Sequence, residues 1–175
     1  MKNDLFTMAL EDKKIVSLKM GQHAVVSQDT AFHIILGPCS SVVLCGIDQN
    51  KKVWLGANHM IRAREENVDM ALKEISELRS ALLEKNVQGV SCLGVFGGSY
   101  REGSLSRNMA QKNIKTILET LSLFYLPVEV FETGYSQDLS ILYSEKRDSF
   151  LIKKTNLEEA KTRIAMIPGS KILIS

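Results

Sequence analysis

Long apolar runs, a basic stripe and paired cysteines are all missing from this chain, and each absence removes a class of function. The longest apolar stretches fall far short of the ~20 residues that a membrane-spanning helix needs. The opening MKNDLFTMALEDKK carries Asp4, Glu11 and Asp12 and has no apolar core of the signal-peptide kind. A soluble, cytoplasmic protein is therefore expected. The formal net charge of +2 is spread through mixed Lys, Glu and Asp segments, and aromatics are only 6% of residues, which leaves no footprint for nucleic-acid binding. Cys39, Cys45 and Cys92 form no C-x-x-C or C-x-x-H pair, so neither a zinc site nor a dithiol redox site is indicated, and reduced thiols are expected. No cofactor is called for. Repeats, low-complexity segments and linkers are also lacking.

What is present fits one α/β domain. With 175 residues, 45% of them hydrophobic, a single core can bury roughly 70% of the surface of the unfolded chain. After a polar N-terminal tail (1–13), short β-branched runs punctuated by turn residues predict strands: IVSLKM, AVVS, AFHIIL, SVVLCGI up to the Asp48-Gln49-Asn50 turn, and KVWLGANHM. Apolar residues recur at helical spacing over 67–84 and again over 106–124, with a strand and a glycine turn, VSCLGVFGGSY, between them. LPVEVFET, LSILYS and SFLIKK read as three further strands. The expected architecture is a mixed or antiparallel set of sheet layers with two long covering helices, occupying 14–154. Residues 155–175 form a C-terminal extension, with a short helical stretch over 157–164 and a strand-like GSKILIS.

The stretch HIILGPCSSVVL places Cys39 at a Gly-Pro kink between two apolar runs. Reactive cysteines tend to sit at such edges, whereas structural ones sit inside a run, as Cys45 and Cys92 do. A thiol needs a base, most often histidine. If the strands either side of the 48–51 turn pair as a hairpin, Cys39 or Ser40 comes close to His59 and Met60. Phe96-Gly97-Gly98-Ser99 is too short and wrongly composed for a phosphate loop and reads as a strand-ending turn. Trp54 is read as core.

Taken in order, L-G-P-C-S-S-V-V-L (36–44), G-A-N-H-M (56–60), V-F-G-G-S (95–99) and S-R-N (106–108) resemble the CheD family of chemoreceptor glutamine deamidases. The family pattern is roughly T-x-x-L-G-S-C-V, G-x-x-N-H, F-G-G-A and I-G-x-R-N. The likeness, which includes I-V-S-L-K-M-G-Q-H-A-V-V-S, covers about residues 14–154. It implies an α/β fold shared with glutamine-deamidating bacterial toxins and a cysteine, histidine and threonine as catalytic groups. The cysteine falls on Cys39 and the histidine on His59. The threonine position, six residues before the cysteine, holds His33. A second imidazole there can accept the threonine's hydrogen bond or perturb His59.

Ser40, Asn58, Gly97, Gly98 and Ser99 are the substrate-binding candidates, and amides around Cys39 and Ser40 are expected to form an oxyanion hole. The implied reaction converts receptor glutamine to glutamate, on the cytoplasmic helices of a chemoreceptor, with a CheC-type phosphatase as a second partner. Pro38 replaces the family serine and removes one backbone donor. Of a family G-G-x-x-G-R stretch only Gly134 survives in T-G-Y-S-Q-D-L-S (133–140). These departures open an alternative, a weakened enzyme that acts mainly as a binding partner of the phosphatase. A related amidase or esterase acting on modified glutamates is a third.

Overall fold

The computed structural model describes residues 4–61, 70–99, 105–155 and 160–166. Two five-stranded sheets stack on each other. The first runs β1 (Lys14–Ser17), β3 (Thr30–Leu36), β8 (Gln137–Ser144), β9 (Ser149–Thr155) and β10 (Ala160–Met166). The second runs β2 (His23–Ser27), β5 (Val53–Asn58), β4 (Ser40–Asp48), β6 (Val87–Gly97) and β7 (Val128–Thr133). Neighbours are antiparallel except β1 with β3 and β6 with β7. A parallel pair needs a crossover, and α3 (Leu105–Leu123) lies within the one that joins β6 to β7.

Strand alternation sorts the side chains into layers. Phe32, Ile34 and Leu36 of β3, with Leu139 and Ile141 of β8, meet Val43 and Cys45 of β4, Leu55 of β5 and Leu93 and Phe96 of β6 between the sheets. On the other face of the second sheet, Val42 and Leu44 of β4 with Cys92 and Val95 of β6 pack under α2 (Met70–Leu83) and α3. Both faces of β4 are thus buried, which is why VVLC reads as a continuous apolar run. A β-bulge between Val43 and Leu44 lets β6 carry one extra residue and keep this two-sided packing.

Two expectations give way. Within the segment read as a polar tail, α1 (Leu5–Leu10) forms: Asp4 caps it by accepting the Phe6 N–H at 3.0 Å, and Phe6 packs with Ala31, Leu142 and Leu151 on the outer face of the first sheet. The helices of the described chain are therefore three, one of them short and on the opposite side from the others. The helical stretch expected over 157–164 is replaced, over its described part, by β10, which pairs with the whole length of β9. Pairing across a sheet edge outweighs weak local helix preference. The start of the first predicted helix (67–69) and GSKILIS lie outside the described residues. Among the described residues no helix is long and apolar enough to cross a membrane.

The strand ends converge at one rim. Ser40 pairs with Gly97, Gly97 with Thr133, and Leu36 with Gln137, and the turn 37–39 carries the chain from the first sheet into the second.

Candidate active site

That turn carries Cys39, and backbone hydrogen bonds fix it. Gly98 N–H donates to the Cys39 carbonyl at 2.8 Å, Ser99 N–H to Gly37 O at 3.0 Å, and Ser40 N–H to Met60 O at 3.1 Å. Gly97 and Gly98 have φ of +86° and +71°. A Cβ at residue 97 would lie 2.3 Å from the Cys39 carbonyl oxygen, so only glycine allows this approach. The turn predicted as a substrate contact thus clamps the Cys39 turn with two of its amides, those of Gly98 and Ser99. The Ser40 amide, expected in an oxyanion hole, is likewise committed to Met60. Cys39 is 7% exposed and lies in the layer between the sheets.

His59 follows β5 and is pinned from both sides. Its N–H donates to Gln22 O at 2.8 Å, its carbonyl accepts from Gly21 N–H at 2.8 Å, and Met60 N–H reaches Ser40 O at 2.8 Å. The Nδ1 atom lies 3.1 Å from the carbonyl oxygen of Leu18. A carbonyl only accepts, so Nδ1 carries a proton, and in the neutral imidazole the lone pair then lies on Nε2, as a general base requires. The ring is 8% exposed.

The expected hairpin forms, and it sets Ser40, the neighbour of Cys39, against Met60, the neighbour of His59. Ser40 and Met60 form an antiparallel bridge that extends the β4–β5 pairing. Continued alternation sets Cys39, Ser41 and His59 on the face between the sheets, with Cys39 and Ser41 flanking Ser40 on the same side. By this register Ser41 stands across from His59, and Cys39 immediately precedes β4. Ser40 and Asn58 fall on the reverse, helix-facing side with Met60. Asn58 is 1% exposed and its Oδ1 accepts the Val42 N–H at 2.8 Å, filling a position that a ladder carbonyl would otherwise take. The Oγ atoms of Ser40 and Ser41 and the Nδ2 of Asn58 are buried without a hydrogen-bond partner among the described residues.

His33 is not brought to this face. In β3, Phe32, Ile34 and Leu36 point between the sheets, so His33 points outward with Ala31 and the 66%-exposed Ile35. Its Nε2 pairs with Asp138 Oδ1 at 2.6 Å, both side chains being partly exposed. What His33 lends the site is its backbone carbonyl, which accepts the Leu18 N–H at 3.1 Å. The group that orients His59 is thus the Leu18 main chain, which sequence reading missed because a carbonyl leaves no trace in residue type.

The other two thiols, Cys45 and Cys92, are buried within β4 and β6. Burial pushes Cys45 and Cys92 up to about 12, which leaves them protonated and unreactive at neutral pH. Beyond Gly98 the rim opens into a groove of about 450 Å³ between α3 and β7, lined by Ala110, Ile114, Leu118, Phe131 and Thr133. Among the described residues no three His, Cys, Asp or Glu side chains cluster as metal ligands do.

No family model matches the chain, and no curated protein sequence matches it. Among solved structures it is similar to the C-terminal domain of CNFy from Yersinia pseudotuberculosis, with 11% identity and a TM-score of 0.32. That match covers 91% of this chain, which spans 59% of the CNFy chain.

Proposed function

We propose that this protein is a cysteine amidohydrolase that converts protein glutamine to glutamate, with the cytoplasmic helices of a chemoreceptor as its substrate. The observation that carries the reading is the His59 Nδ1 hydrogen bond to Leu18 O, which leaves Nε2 as a base on the face that also holds Cys39. The four motifs in CheD-like order supply the substrate class. His33, at the threonine position, points away from the imidazole, and in this reading the orienting role falls to the Leu18 carbonyl.

In this reading His59 Nε2 takes the Cys39 proton, and the thiolate attacks the carboxamide carbon. The C=O pair moves onto oxygen to give a tetrahedral intermediate. Its collapse breaks the C–N bond, and His59 returns the proton to nitrogen so that ammonia leaves. Water, deprotonated by the same Nε2, hydrolyses the thioester to glutamate and restores the thiol. A receptor cytoplasmic fragment incubated with the protein gains about 1 Da per event, the replacement of NH₂ by OH in this hydrolysis. The gain disappears with Cys39→Ala. A fragment of unchanged mass would overturn the assignment.

A further inference from the structure

An acyl-transfer site must stabilise an oxyanion, and the amides flanking this nucleophile are already engaged. Pro38 has no N–H, Ser40 donates to Met60, Gly98 to Cys39 O and Ser99 to Gly37 O. One residue along, on the Cys39 face, stands a donor with no partner. Ser41 is 0% exposed, and its hydroxyl has no hydrogen-bond partner among the described residues. A buried unpaired hydroxyl costs stability, so its presence two residues from the nucleophile and directly across from the base calls for a function.

From this placement we infer that Ser41 Oγ–H is the side-chain oxyanion donor of the site, a role that rests on the amidohydrolase reading above. As the thiolate adds to the carboxamide carbon and the C=O electron pair moves to oxygen, Ser41 donates its hydrogen bond to that oxygen. The proton stays on Ser41, and the bond is released when the C=O re-forms and ammonia departs. Among the described residues the hydroxyl has no partner, as fits a donor whose acceptor forms only in the transition state.

The test compares wild type, Ser41→Ala and Ser41→Thr in three measurements: deamidation of a receptor cytoplasmic fragment, alkylation of Cys39 by iodoacetamide, and thermal melting. Alkylation needs the thiolate but forms no oxyanion. Ser41→Ala is expected to lower the deamidation rate on the order of 100-fold, the usual loss for one such donor, with Cys39 alkylation unchanged and a melting temperature equal to or above wild type. Ser41→Thr, which keeps the hydroxyl, restores most of the rate. Deamidation by Ser41→Ala within about twofold of wild type, well short of the usual loss, overturns the role, as does a parallel fall in Cys39 alkylation or melting temperature. A wild-type protein that alkylates at Cys39 but deamidates nothing overturns the amidohydrolase reading, and this role with it.

Discussion

His59 donates from Nδ1 to the main-chain carbonyl of Leu18, 41 positions earlier and just after β1 of the facing sheet. The turn that presents this carbonyl is itself tied down, by Gln22 N–H to Lys19 O at 3.0 Å and by Gly21 N–H to His59 O at 2.8 Å. Because the partner is backbone, the Leu18 side chain is replaceable so long as the core stays filled. Leu18→Met is expected to keep full deamidase activity at a cost under about 1.5 kcal/mol. Gly21, with φ of +81°, is the sensitive position: Gly21→Ala should cost about 1–2 kcal/mol and lower activity by shifting the turn off the imidazole. Urea midpoints and deamidation rates of the two variants check this.

A contrast between two glycines tests the clamp on the nucleophile turn. A Cβ at residue 97 meets backbone 2.3 Å away, whereas at Gly37 nothing lies within 4 Å. Gly97→Ala is therefore expected to destabilise by several kcal/mol, on the order of 3 kcal/mol from clash and positive φ together, and to abolish activity. Gly37→Ala should melt within a few degrees of wild type. Equal melting temperatures for the two variants would contradict the clamp.

His33→Thr introduces the threonine that the CheD pattern carries at this position, yet a side chain here lies on the wrong face to touch His59. The substitution removes a partly exposed hydrogen bond to Asp138, worth about 1 kcal/mol, and leaves the His33 carbonyl bonded to Leu18. Deamidation rates for wild type and His33→Thr should agree within about twofold, the change that a loss of 0.4 kcal/mol would bring. A large gain in rate would place position 33 in the catalytic machinery.

The buried thiols make a pH prediction. Cys45 and Cys92 are raised to about 12 in the folded protein, while in the unfolded chain a thiol titrates near 8.5. From about pH 8.5 upward the unfolded state loses these protons and the folded state keeps them until about pH 12. Stability should therefore fall with rising pH in that window, by up to about 1.4 kcal/mol per unit for each thiol. The fall should be smaller in a Cys45→Ala, Cys92→Ala variant. At pH 8, iodoacetamide should label neither residue until the protein is denatured.

Much of the site was legible because its register is set by local turn chemistry. Asp48 accepts the N–H groups of Asn50 and Lys52 at 2.8 and 3.0 Å, and Lys51 takes a positive φ of 61°. This fixes the hairpin and so brings the Cys39 and His59 ends together. The face of His33 was hidden by its neighbours: in AFHIIL the exposed Ile35 is as apolar as the inward Ile34, so alternation did not reveal which side faced the core. Helix α1 is six residues long, too short for helical periodicity to register. Strand β10 owes its form to β9, a pairing that no local pattern encodes. The Leu18 carbonyl and the clamp function of the Gly97 and Gly98 backbones depend on chain path alone.

The most direct test of the central claim is the covalent intermediate. A glutamine peptide mixed with the protein and quenched in acid within milliseconds should leave a species whose mass is the sum of the two less about 17 Da, the ammonia lost on thioester formation. Peptide mapping should place it on Cys39, and Cys39→Ala should show neither adduct nor glutamate product. Glutamate formation undiminished in Cys39→Ala, or an adduct mapped to Cys45 or Cys92, would contradict the account.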